Sequence, residues 1–129
     1  MIAVDTSALV AILWNEQESP RLRASLAEAN GAVISAGNVL ELQLVLAGAH
    51  AEANWSQVEA LFRAYGVEAR PFDEAQLRIA REAALRFGKG RHRAGLNFGD
   101  CFAYALARAE GLNLLCVGED FALTDLELA

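Results

Sequence analysis

Ile2-Ala3-Val4-Asp5-Thr6-Ser7-Ala8-Leu9 is the stretch on which the reading of the fold turns. Three consecutive apolar residues read as a short buried strand, and the Asp-Thr-Ser triplet behind them offers three residues able to cap the helix that follows over about 7–13. The pairing of a short apolar run with a helix then recurs. Ala32-Val33-Ile34 precedes a helix opened by Gly37-Asn38 and running to about Ala49. Val67-Glu68-Ala69 is a weaker strand ahead of a helix over 74–87 that Asp73 caps, and Leu112-Asn113-Leu114-Leu115-Cys116-Val117 is the clearest strand, ended by Gly118. Further helices are predicted over 20–29, with Pro20 in its first turn, over 55–65, and over 98–110, where Gly111 stops it. Strands that are continuous rather than alternating, with few hairpin signals, predict an α/β fold whose parallel sheet is covered on both faces. In such sheets ligands bind beyond the carboxyl ends of the strands.

The chain has 129 residues, the size of one domain spanning 1–129, and 54% of them are hydrophobic, which excludes a disordered chain. The apolar surplus suggests that some surface is buried against another chain. No apolar run approaches the roughly 20 residues that cross a bilayer, and the first residues lack the basic start of an export signal, so a cytoplasmic protein without membrane contact is expected. Cys101 and Cys116 each lie in an apolar run and are expected as buried, reduced thiols. The net charge of −6 is awkward for contact with phosphate, yet Arg86, Lys89, Arg91 and Arg93 crowd into one stretch around His92. An acidic protein with one basic loop is compatible with local phosphate binding.

Four acids then fall where such a sheet binds ligands. Asp5 directly follows the first strand, and Glu119-Asp120 follow the last, one glycine past its end. Taken alone, Asp5 reads equally well as a helix cap. Glu41 stands in the first turn of an otherwise apolar helix and shares a face with Asn38, Val45 and Gly48, which predicts a partly buried carboxylate. The plainer alternative is that it pairs with an arginine or supports the positive end of its helix. Asp100 repeats the pattern beside Ala103, Tyr104 and Ala107. Its plainer alternative is the answering acid of a capping box begun by Asn97, although such boxes prefer Glu or Gln there.

Acids gathered at one edge repel one another and raise each other's pKa unless a cation joins them. Oxygen ligands suit Mg²⁺ or Mn²⁺. His50 and His92 are isolated and lack the spacing of a zinc site. Asp5, in the middle of the set, is the candidate bridge between two ions; Ser7 and Asn38 either orient waters beside them or merely cap helices. A carboxylate-bound ion does not by itself choose phosphodiester hydrolysis over phosphatase chemistry.

Asp5 within Ile2–Leu9, Glu41 in its apolar helix, Leu96-Asn97-Phe98-Gly99-Asp100-Cys101-Phe102-Ala103-Tyr104-Ala105-Leu106-Ala107, and Leu114-Leu115-Cys116-Val117-Gly118-Glu119-Asp120-Phe121 together resemble the PIN domain family. Within it they resemble the VapC-type toxins of bacterial VapBC toxin–antitoxin pairs. The resemblance spans essentially the whole chain. It implies a Rossmann-like three-layer sandwich with a sheet of four or five strands, and Mg²⁺- or Mn²⁺-dependent endoribonuclease activity. It also implies homodimers, and inhibition by a VapB-like antitoxin whose C-terminal segment can push a basic side chain into the acidic pocket, in a hetero-oligomer. Asp5, Glu41 and Asp100 carry over as the metal-binding and catalytic acids; Asp120 fits the family position before the phenylalanine, and Glu119 sits where the family often has Asn or Asp. Arg91 and Arg93 are then expected to grip the RNA backbone, and the segment 14–25 with Trp55 and Phe62 either supplies partner surfaces or is ordinary core. Two alternatives stand beside this reading: the same site acting on DNA, and a non-enzymatic protein-binding module with an acidic pocket. A phospho-acceptor receiver domain fits poorly, because the last strand leads to acids and the single lysine is Lys89.

Overall fold

A computed structural model describes residues 1–48 and 55–129; the predicted helix end at Ala49, and His50, lie outside the described residues. Four strands, β1 (Ile2–Val4), β2 (Ala32–Ser35), β3 (Val67–Arg70) and β4 (Leu114–Leu115), form one sheet in the order β3-β2-β1-β4. Every pairing is parallel, with Ala3 opposite Val33 on one side and Leu114 on the other. Six α-helices are present among the described residues: α1 (Thr6–Leu13), α2 (Ser19–Glu28), α3 (Ala36–Gly48), α4 (Trp55–Tyr65), α5 (Glu74–Phe87) and α6 (Phe98–Glu110).

Successive side chains of a strand point to opposite faces, and here both faces are apolar. Val4, Ile34 and Leu115 pack with Leu9, Ile12, Leu22, Leu42, Leu46 and Val58 from α1 to α4. Ala3, Val33 and Leu114 pack on the other side with Ala83, Phe87, Ala103 and Leu106 from α5 and α6. The result is the three-layer α/β/α sandwich that continuous apolar strands imply. None of the helices among the described residues is long and apolar enough to cross a membrane.

The strand read most clearly in the sequence is the shortest in the structure. Only Leu114 and Leu115 of the 112–117 run belong to β4. The flanking residues use their backbone donors elsewhere: the Leu112 N–H bonds the Ala107 carbonyl at 2.9 Å, closing α6, and the Val117 N–H bonds the Ser7 hydroxyl at 3.0 Å. A second difference is at α3, which begins at Ala36, ahead of the expected Gly37-Asn38 opening. Glu41 therefore stands in the second turn of its helix, beyond the first turn where it was expected.

The outer edge of β4 is covered rather than exposed. Leu114 N–H donates to the Glu127 carbonyl at 3.0 Å, and Ala129 N–H donates to the Leu114 carbonyl at 2.8 Å. Tyr104 holds this terminal segment down, its hydroxyl donating to Asp125 Oδ1 at 2.6 Å, while Arg86 reaches Asp125 Oδ2 at 3.3 Å. Burial and the bond to Asp125 push the Tyr104 hydroxyl up to about 12, so it remains a donor across the physiological range. Tyr104→Phe removes a hydrogen bond to a charged acceptor and is expected to lower stability by about 1–2 kcal/mol, read from the midpoint of urea unfolding. An unchanged midpoint would mean that the tail is held by its backbone pairing alone.

Candidate active site

Asp5 follows β1, which lies between β2 and β4, so the chain departs to opposite sides of it. That is the topological switch point at which open parallel sheets bind ligands. The Asp5 side chain is buried, with 4% of the residue exposed. Its Oδ2 accepts the Ser7 N–H at 3.0 Å and so caps α1. Its Oδ1 is buried and has no hydrogen-bond partner. The cap and the site are therefore two ends of one carboxylate. Burial, only partly offset by the bonds from Ser7 and reinforced by the charges of Asp100 and Glu41, raises its pKa to about 6.

Asn38 is fully buried and does not cap its helix. Its Nδ2 donates to Glu41 Oε1 at 3.0 Å and to the Gly99 carbonyl at 2.9 Å, tying α3 to α6. Its own carbonyl accepts the Thr6 hydroxyl at 3.2 Å, which adds α1 to the same network. The half-buried Glu41 carboxylate lies directly over Gly99, in the space that a side chain there would fill. A reciprocal close approach seats the Phe102 ring of α6 over Gly37 of α3. No arginine pairs with Glu41 among the described residues; Asn38 is what holds it.

Asp100 does form the capping box, despite being the less favoured residue for it. Its Oδ2 accepts the Asn97 N–H at 3.0 Å, and Asn97 Oδ1 accepts the Asp100 N–H at 2.9 Å. Partial burial raises its pKa against the effect of the Asn97 bond, and the charges of Asp120 and Glu41 raise it further. Asp120 is exposed, reached from β4 through Gly118 at φ 94°, and its side chain caps nothing. Between the two acids of that turn, it is Asp120 that acts on Asp100.

The structure thus brings Asp5, Glu41 and Asp100 within electrostatic reach of one another, and Asp120 within reach of Asp100. Among the described residues, no three His, Cys, Asp or Glu side chains stand close enough together to hold a metal ion by themselves. An orphaned buried carboxylate oxygen, two raised carboxyl pKa values and all-oxygen donors nevertheless fit a hard divalent ion that retains much of its water. Asp5 has one oxygen to offer it, and Glu41 and Asp100 each have one oxygen beyond those already bonded to Asn38 and Asn97.

The surrounding residues fall into clear roles. Ser7 Oγ accepts the Val117 N–H and so fixes the end of β4 against α1. Both cysteines are free; burial first, then Asp5, pushes the Cys116 thiol up to about 12, which leaves it inert. His92 is half-buried, its Nδ1 accepting the Ala94 N–H at 3.0 Å. Arg91 and Arg93 are exposed on a loop that closes through the Gly88–Leu96 bridge, just before Asn97, and neither forms an ion pair among the described residues. Trp14 is exposed, whereas Trp55 and Phe62 pack against the core. The sequence did not single out Arg21, whose Nη2 donates to the Cys116 carbonyl at 3.2 Å and places a cation at the end of β4.

The PIN domain family model matches residues 2–126. A protein of Mycolicibacterium smegmatis named Ribonuclease VapC is 41% identical over 125 residues, covering 97% of this chain and 97% of that one. Among solved structures, Mycobacterium tuberculosis VapC20, described as a sarcin-ricin loop cleaving toxin, aligns with a TM-score of 0.80 at 17% identity over 100% of this chain and 98% of that one. VapBC2 from Rickettsia felis, bound to a DNA fragment from its promoter, aligns with a TM-score of 0.76 at 19% identity over 100% and 98%.

In the metal-free protein, Asp5 contributes a stability with a definite sign in pH. Its folded pKa lies above the unfolded value, so the contribution is full below about pH 4 and is lost as pH rises through about 6. Asp5→Asn keeps the Ser7 cap and removes the buried charge. In chelator at pH 7.5 the variant is expected to melt higher than wild type, by the equivalent of about 2–3 kcal/mol, and the gap should close near pH 4. A variant that melts lower at both pH values would contradict the buried, uncompensated carboxylate. Gly99→Ala is expected to displace Glu41 and weaken Mn²⁺ binding at least about tenfold by calorimetry; unchanged affinity would show that Glu41 is free to move.

Proposed function

Because this chain belongs to the PIN domain family, we propose that it is the toxin of a type II toxin–antitoxin pair, a metal-dependent endoribonuclease that hydrolyses RNA phosphodiester bonds in the cytoplasm. The observation that carries this reading is the buried, unpartnered oxygen of Asp5, on whose carboxyl the charges of Asp100 and Glu41 act, with Asp120 acting on Asp100. Asp5, Glu41 and Asp100 would hold the ion, with Asp120 completing the acid set beside Asp100. When bound, Mg²⁺ or Mn²⁺ would lower the pKa of a coordinated water and offset the charge that builds on the phosphate. Asn38 holds one Glu41 oxygen by a hydrogen bond and leaves the other free to serve as a ligand. Ser7 holds the β4 end in place and, with Asn38, orients the waters nearby. Arg91 and Arg93 grip the RNA backbone from the neighbouring loop, so that affinity falls as salt rises.

A VapB-like antitoxin inhibits the site by inserting a basic side chain among the acids; the complex from Rickettsia felis supports such a partner. Self-association as a homodimer uses α3, where Leu40 and Leu44 are 62% and 65% exposed one turn apart.

The reading is tested by incubating the purified protein with defined RNA and DNA oligonucleotides in Mn²⁺. RNA is expected to be cut and DNA left intact. Asp5→Asn and Asp100→Asn should each reduce cleavage at least about 100-fold while circular dichroism shows a folded chain. Full activity in either variant would remove the assignment. Preferential cutting of DNA would move the same site to another substrate, and the absence of divalent-ion binding in calorimetry would leave only a protein-binding role.

A further inference from the structure

Phe98 is the most exposed of the large apolar side chains among the described residues, at 82%, and it stands two residues before Asp100 at the start of α6. Its ring is nevertheless held. Phe98 packs edge-on against Phe102, one turn along the helix, with centroids 5.0 Å apart and planes at 86°. Phe102 packs in turn against Phe72, from the segment joining β3 to α5, at 4.7 Å and 72°. The base of this array is fixed because Phe102 sits over Gly37, where α3 leaves no side chain in the way. A braced ring that stays exposed, one residue before the glycine on which Glu41 rests, contributes little to the core and is set to receive something flat.

We propose that Phe98 is a stacking platform for an unpaired nucleobase of the RNA strand being cut, positioning the nucleotide next to the scissile phosphate; this rests on the ribonuclease reading above. An aromatic platform suits this occupant in a protein of this charge. A chain of net charge −6 has few cations with which to hold a polyanion, and stacking on an aromatic face supplies affinity that needs none. It also selects single-stranded RNA, since a paired base keeps its faces covered. The rival occupant is a second copy of the chain.

The test measures binding of an unstructured RNA oligonucleotide in chelator, where nothing is cut, by fluorescence anisotropy at low and high salt. Phe98→Ala should weaken binding roughly 5- to 100-fold, equally at both salt concentrations. Phe98→Trp should bind at least as tightly as wild type, and its emission should be quenched by the oligonucleotide. Phe98→Leu, apolar but without a π-face, should behave like the alanine variant. Cleavage of a single strand should fall with Phe98→Ala through KM. The proposal is overturned if the leucine variant binds like wild type, if the alanine variant binds unchanged, or if sedimentation shows that Phe98→Ala dissociates a dimer, which would make the ring a contact between copies. Failure of the ribonuclease reading is a separate result: the wild-type protein then cuts no RNA in Mn²⁺, whatever residue 98 does to binding.

Discussion

One buried amide sets the spacing of the whole site. Asn38 Nδ2 spends its two protons on Glu41 of its own helix and on the carbonyl of Gly99 at the start of α6. The bond to Gly99 links residues 61 positions apart and fixes how closely two helices approach. Gly99 and Gly37 make that approach possible by presenting backbone where a side chain would collide. Without the amide, the repulsion between Glu41 and the acids around it would act directly on the junction of α3 and α6. With it, Glu41 is pinned, and the helices carry the strain of gathering like charges.

The acids are tolerated because each does two things at once. Asp5 and Asp100 stand at the N-terminal ends of α1 and α6, where the positive end of a helix offsets a carboxylate and free N–H groups need acceptors. Each gives one oxygen to its cap, so one oxygen of each remains free of the cap. The cost is visible in the raised pKa of both groups. It is borne by two apolar layers, one on each face of the sheet, that have no part in the chemistry. A local violation of the usual rules for buried charge, supported by an otherwise regular fold, is the pattern expected of a functional site.

Capping and metal-binding readings of the same residue looked like rivals in the sequence, and the structure makes them compatible. Asp100 answers Asn97 in a full capping box and still feels Asp120 and Glu41. Asn38 shows the opposite outcome: it looked like a helix cap, and its amide instead braces one helix against another. The run 112–117 misled for a related reason. Its composition is that of a long strand, but Leu112 and Val117 give their N–H groups to α6 and to Ser7, leaving two residues for the sheet.

Local pattern alone was enough to place the helices within a residue or two, to order strands and helices along the chain, and to put Asp5 and Asp120 beyond strand ends, because periodicity and capping act over a few residues. The family motifs did the same for Glu41 and Asp100. What only the tertiary structure decided is where those segments stop relative to one another: that Asp5 keeps one oxygen unpartnered, that Glu41 rests on Gly99, and that Phe98 is propped by Phe102 and Phe72. Each of these depends on contacts between residues far apart in the chain. Their distances are set by packing, which no local spacing of residue types encodes.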